Sequence, residues 1–430
     1  ANLNENEVSH MAPFNSASFP DSLAIAKEGA LTIGTVDAIQ RLHIRSLPLH
    51  EQPRRIALQE ETHSLGVVSV TNMGMEDETN VVRIYEHVGG VLEARASLAL
   101  GLDEMGASIT SCRLGETDPT PYYVVGTAFV AAAESEPTKG RLLVLRYFEG
   151  KLSLVAEREV KGAPYEVLPF HGGRLLNTCN SKVQVHRWVV REDGTKELQL
   201  ECSATGQVTS LYLAARGDHV LMGDLTRSMS LYLYKQEEGV LELRAQDYAS
   251  NWCTAVAMLD DDTYLAAENS YNLIVVRKNA EAANDEERSR LELVGEYHLG
   301  EFVNRIRPGS LVMRLPDSEL AQVATWLFCT IDGTIGLLAS MTPTMFELLN
   351  RLQEALRKVV RGVGGFSHAE FRSFRNERKV NPARGFIDGD LIELFLDLRP
   401  EELTKVMEFL GSGTSQDEVT RLVEELARLH

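Results

Sequence analysis

Cysteine is scarce and poorly placed for chemistry. The 430 residues hold five, Cys112, Cys179, Cys202, Cys253 and Cys329, and no two form a CxxC pair. That spacing argues against zinc and against a disulfide framework, so scattered thiols of a reducing compartment are expected. Long apolar runs are missing too. No stretch of about 18 apolar residues occurs, so neither a membrane span nor a membrane partner is expected. The opening ANLNENEVSH has neither a basic region nor an apolar core, so it does not read as a secretory leader. It also lacks an initiating Met, from which a fragment or processed chain is expected. Positive charge is in deficit: 43 Lys and Arg face 62 Asp and Glu, a net charge of −19. Such a surface repels phosphate backbones except at a local basic face.

Catalytic signatures are equally thin. There is no GxSxG, no phosphate loop of the GxxxxGK[ST] type and no Ser/His/Asp set. Strands and helices do not alternate before residue 343, which disfavours a Rossmann or barrel enzyme. The acidic groups at 260–262 and at Asp388 and Asp390 read as turn and cap residues rather than metal ligands or acid/base pairs. His298 reads as a satisfied strand histidine rather than a catalyst. The basic run 372–384 could touch nucleic acid. A solvated loop bridging two domains is the preferred reading, with Phe371 and Phe374 as core anchors.

What the chain has is repetition. In 217–235, GDHVLMGDLTRSMSLYLYK, residues 219–222 form an apolar strand and 229–234 an alternating one. Between them 223–228 carry turn formers, Gly for positive φ and Asp for a carboxylate that bonds its own main chain. Such a hairpin cannot bury both faces alone. Copies are present. A hairpin at 22–26 and 31–36 and a strand at 41–47 come first. Four-strand units follow, beginning near residues 53, 109, 165, 208, 254 and 303, with a polar loop at 72–80 and a charged insertion at 279–290. About seven units of this kind, without the GH…WD signature, predict a mainly β fold: a seven-bladed β-propeller. Residues 1–41 read as the end of a preceding propeller or as first blade strands, 42–341 as the seven-bladed propeller, and 342–430 as a small C-terminal helical domain. In that domain Phe346, Leu349, Leu352, Leu356, Val359 and Val360 recur at helical spacing after Pro343, and Ser415 to Glu418 reads as a capping box. Trp252, at a blade entry, is either buried core or a recognition anchor; spacing does not choose.

PDSLAIA, LTIGTVDAIQRLHIRSLPL, GDLTRSMSLYLYK, DEERSRLELVGEYHLGEFVN and GFIDGDLIELFLDL resemble the family of the large damage-specific DNA-binding subunit, across essentially the whole chain. The related cleavage/polyadenylation and splicing-factor 3b subunits look less similar over these strings. The resemblance implies three propellers and a helical domain, of which this chain would hold the end of the middle propeller, the third propeller and the helices. It implies a non-enzymatic adaptor of cullin-4 ubiquitin ligases in nucleus and cytoplasm, with no cofactor and no metal. The middle propeller would grip the cullin, while the first and third would clasp WD-type substrate receptors, which insert an N-terminal helix and a propeller edge into the cleft. Damaged DNA would be met only indirectly, through a receptor. Carried onto this sequence, the receptor contacts fall on Ala128, Glu136, Ala163, Leu211, Leu225, Arg227, Trp252, Phe302, Asn304 and Ile331. Trp252 and Phe302 would form an apolar floor, with Arg227 and Asn304 as polar anchors. The loop at 72–80 is short where relatives carry a Ser-rich insertion. Without its companion propellers, the chain is expected to bind receptors weakly and the cullin not at all. The rival reading is a scaffold subunit of an RNA-processing complex.

Overall fold

A computed structural model describes residues 8–19, 22–27, 29–35, 46–74, 78–88, 91–312, 320, 323–411 and 413–429. Seven antiparallel meander sheets precede residue 340, five of four strands and two of three. The fold is a β-propeller followed by a short helical part. The hairpin expected near the start is present as Ser22–Lys27 and Ala30–Thr35. A strand that the sequence reading missed, Val8–Phe14, pairs beside it. The boundary expected at residue 41 and the strand expected at 41–47 fall largely outside the described residues.

The other six sheets begin with Gln52–Gln59, Glu104–Arg113, Val167–Phe170, Ser210–Arg216, Cys253–Met258 and Val303–Pro308. Each of these first strands packs beside the first strand of the next sheet, so together they line a lumen. Burial then follows distance from that axis. Second strands such as Pro121–Phe129 and Thr263–Glu268 are buried on both faces, because a sheet lies on either side. Fourth strands such as Val91–Ala99 alternate, because one face meets water. Glycine permits the close approach of neighbouring sheets: a Cβ on Gly223 would stand 2.6 Å from Val256 Cγ1. Hydroxyls tie the sheets together as well, Ser108 Oγ donating to the Pro164 carbonyl at 2.6 Å and Thr254 Oγ1 to that of Val303 at 2.6 Å.

The repeat shows most clearly in its irregularities. The pairing of first with second strands slips by one residue at 53/55, 106/108, 210/212, 253/255 and 303/305. Each slip is a β-bulge near the start of the strand, which sharpens twist and turns one side chain out of the ladder. One flank is different: Ile56 and Leu58, on the first strand of the second sheet, are exposed.

After Thr342, whose hydroxyl caps the helix by accepting from Met345 N, Pro343–Val359 forms the long helix predicted. It packs with Gly389–Glu393, Pro400–Leu410 and Gln416–Ala427 around Leu352, Leu356, Val406 and Val423. The capping box at Ser415 is half made, Ser415 Oγ accepting from Glu418 N. The basic run is a short ladder, Phe374–Arg375 against Val380–Asn381. Phe374 is wholly buried in the propeller core with Leu221, Tyr264 and Ile274. Phe371 departs from the expectation. It lies half in solvent, edge-on to His298, because the tight Gly300 turn leaves its ring room only at the surface. Glu296, almost sealed, takes Lys379 and Asn381 side chains and a main-chain pair from Arg384, so the basic charge is spent joining the tail to the sixth sheet. Asp388 also differs from a simple cap. Its carboxylate accepts from His368 Nε2 at 2.7 Å and Arg372 Nε at 2.6 Å and titrates well below the usual range despite burial. Asp260 is the turn residue expected, accepting from Asp262 N and Thr263 N. His298 Nδ1 meets Asn272 Oδ1 at 2.9 Å, the satisfied strand histidine expected.

Candidate functional site

In these sheets first strands start, second strands finish and the second-to-third turns lie at one end of the ring. All ten residues singled out from the sequence map to that end. Trp252 and Phe302 immediately precede first strands, and Ala163 lies four residues before one. Leu211 and Asn304 are the bulged residues of two first strands, at equivalent positions. Leu225, Arg227, Glu136 and Ile331 lie in second-to-third turns, and Ala128 closes a second strand.

Asp224 builds the central turn. Buried, it accepts from Val208 N at 2.8 Å and Thr209 N at 3.0 Å through one oxygen, and from Thr226 N at 2.9 Å and Arg227 N at 3.1 Å through the other. Four main-chain donors on one carboxylate fix Leu225 and Arg227 on the rim and join that turn to the entry of the first strand. The turn of the seventh sheet is fixed likewise, Ile331 N donating to the Phe302 carbonyl at 3.1 Å. Large apolar side chains held this way remain open to water: Trp252 is 46% exposed, Leu225 38% and Ile331 62%. Phe302 is half-buried, and Arg227 and Asn304 are exposed. The alternative of Trp252 as blade core is therefore overturned.

Two expectations need correction. Ala128 and Ala163 are fully buried, because Ala128 pairs inside the ladder and Ala163 is clamped by Asn180, which takes its N–H at 2.6 Å and donates to its carbonyl at 3.2 Å. They shape the rim from beneath. Asn180 Nδ2 also holds the Pro137 carbonyl at 2.9 Å, which fixes the turn bearing the half-buried Glu136. The sequence reading missed Tyr271. This residue has φ of 65°, in the turn of the sixth sheet, and its ring meets Phe302 edge-on at 6.2 Å. An aromatic forced into the left-handed region is the signal that could have found it. Tyr248 and Val208, also exposed, extend the apolar rim at the same end.

Titratable groups near the rim are arranged for structure. Burial raises the thiol of Cys253, beside Trp252, far above its usual value, while Cys179 and Cys202 are pushed up to about 11 by burial. A thiol so raised stays protonated and is a poor nucleophile. Among the described residues no group of three or more His, Cys, Asp or Glu could hold a metal ion.

The family model described as the CPSF A subunit region matches residues 80–397. DNA damage-binding protein 1a of Arabidopsis thaliana is 52% identical over 435 residues, covering 100% of this chain and 39% of the relative. DNA damage-binding protein 1 of Solanum lycopersicum is 52% identical over 437 residues, and that of Oryza sativa subsp. japonica 50% over 433, with the same coverage. The chain thus spans about two fifths of the length of these curated relatives.

Proposed function

The chain belongs to the CPSF A subunit region family, and from that premise we propose that its propeller is a protein-docking scaffold of a DNA-damage pathway, without catalytic activity of its own. Its partners are substrate receptors of a cullin-4 ubiquitin ligase, which lay a short helix on the rim around Trp252. The cullin is held by a different propeller, damaged DNA is met through a receptor, and the assembly works in nucleus and cytoplasm. The observation that carries this reading is the exposure of Trp252, Leu225 and Ile331 on turns fixed from below, with Arg227 and Asn304 at hand. An apolar centre with polar groups at its margin is the anatomy of an interface hot spot. A helix supplies matching anchors at i, i+3, i+4 and i+7.

The test is capture of a receptor's N-terminal helical peptide by the chain, with Trp252→Ala alongside. Truncating a central aromatic should cost about 2 kcal/mol, or about 30-fold in affinity, with the far-ultraviolet spectrum unchanged. Equal capture by both proteins removes the rim from the proposal. The name of the matching family favours one second reading, a scaffold subunit of an RNA-processing complex. Capture of cleavage/polyadenylation subunits in place of receptors would decide for it.

A further inference from the structure

The lumen below that rim has another character. The first strands enclose a cavity of about 1160 Å³ there, with Tyr212, Arg216, Asp260, Arg305 and Arg307 among the residues on its wall. Two of its charge pairs are closed. Arg305 Nη1 reaches across the lumen from the seventh sheet to the fourth and donates to both oxygens of Glu166, at 3.0 and 3.1 Å. Arg216 meets Asp261 at 3.0 Å near the surface. Asp260 is occupied by the main chain of its own turn.

Two guanidiniums remain over. The Arg307 side chain forms no ion pair or hydrogen bond among the described residues. Arg55, on the first strand of the second sheet, reaches only the Arg54 carbonyl, at 3.0 Å. Arg307 shares the cavity wall with Arg305, and Arg55 stands at the position equivalent to Arg305, just after the bulge of its own first strand. Burial, with Arg305 next, holds both below the usual arginine range. Both side chains are open to water, which leaves their N–H groups free for a ligand. Like charges brought together in one lumen repel, and an anion placed among them is attracted.

We propose that this lumen is a binding site for a compact polyanion, a small molecule carrying two or more phosphate groups, held by Arg55, Arg305 and Arg307 with the Tyr212 hydroxyl as a further donor. Guanidinium suits phosphate because its N–H groups meet two oxygens at once. Compactness follows from charge: the whole chain carries −19, so a polymer would extend its remaining phosphates over a repelling surface. A small anion lies wholly within the basic lumen.

The test is titration calorimetry of the full chain with tripolyphosphate, at low and at high salt. We expect one site, weakened steeply by salt, with Arg307→Gln and Arg55→Gln each reducing affinity about tenfold. Arg244→Gln, on an outer strand, should leave binding unchanged. Without ligand, Arg307→Gln should melt no lower than the parent, since it removes a repulsion; a marked drop would make Arg307 a structural group and overturn the assignment. Absence of heat with tripolyphosphate, or equal binding by the two lumen variants, would falsify it. So would a single-stranded oligonucleotide that binds where tripolyphosphate does not.

Discussion

The rim and the lumen of this ring are made from the same strands and do opposite things with them. At the rim, Trp252, Leu225, Ile331 and Tyr271 hold carbon out toward water, Leu225 on a turn fixed by Asp224 and Ile331 on one fixed by the Phe302 carbonyl. Inside the ring, first strands bring guanidinium groups together around a lumen. The difference arises from what each must satisfy. Second-to-third turns need their main-chain donors bonded, and a buried Asp or a neighbouring carbonyl does this locally, which frees the neighbouring side chains for display. First strands around an axis are already satisfied by their ladders, so their inward side chains alone decide what fills the space.

Four measurements break or sharpen that contrast. The largest effect belongs to Asp224→Ala, which strips four main-chain donors of a buried partner; chemical denaturation should show a loss of about 4 kcal/mol, and peptide capture at the rim should go with it. Next is acid sensitivity in the interior of the fourth sheet. Burial, with Arg158 nearby, pushes His186 down to about 4 from an ordinary value of 6.5. The unfolded chain therefore takes the proton first. Stability from this group is intact above the ordinary value and declines as pH falls to the folded one, by roughly 3 kcal/mol in all. A stability–pH profile of His186→Phe should be flatter over that window, and a profile parallel to the parent's would remove His186 as the cause. Third, Glu166→Ala releases Arg305 in the basic lumen. With Arg305 38% exposed, solvent screening keeps the stability cost near 1 kcal/mol. Tripolyphosphate should bind several-fold more tightly, and weaker binding would mean that Glu166 positions the site rather than opposes it. Smallest is the stability change of Trp252→Ala, under about 1 kcal/mol because nearly half the ring is already in water. A larger loss would return Trp252 to the core.

Much of this was legible in the sequence because a propeller's blades each report on themselves. Period-two strands, Gly-Asp turns and the change of period at Thr342 marked the sheets and the first helix, although the first strand of the third sheet starts at Glu104, ahead of the expected start near 109. The rim was legible in part. Position in the repeat puts Leu211 and Asn304 at one end, but only the one-residue slips in pairing show that both are bulged outward. Ala128 and Ala163 fall at the same end yet are sealed, since burial depends on which neighbour closes over a side chain, and no spacing carries that. Tyr271 was missed because its left-handed backbone is imposed by the turn. The basic lumen was invisible for the same kind of reason: Arg55, Arg305 and Arg307 are two sheets at the two ends of the chain, and only the ring brings them together. The basic run 372–384 misleads in isolation, because the Glu296 that consumes its charge lies far upstream.

Phe374 has a consequence for how the protein comes apart. Its ring, contributed by the helical tail, completes the core between the fifth and sixth sheets. A protease that severs the chain before the long helix would therefore leave a phenyl-sized hole in the β part, and Phe→Ala losses of this kind run to about 3–5 kcal/mol. Blades and tail should accordingly melt as one cooperative unit in a calorimeter, with the tail acting as the last stave of the barrel rather than as a passenger on it.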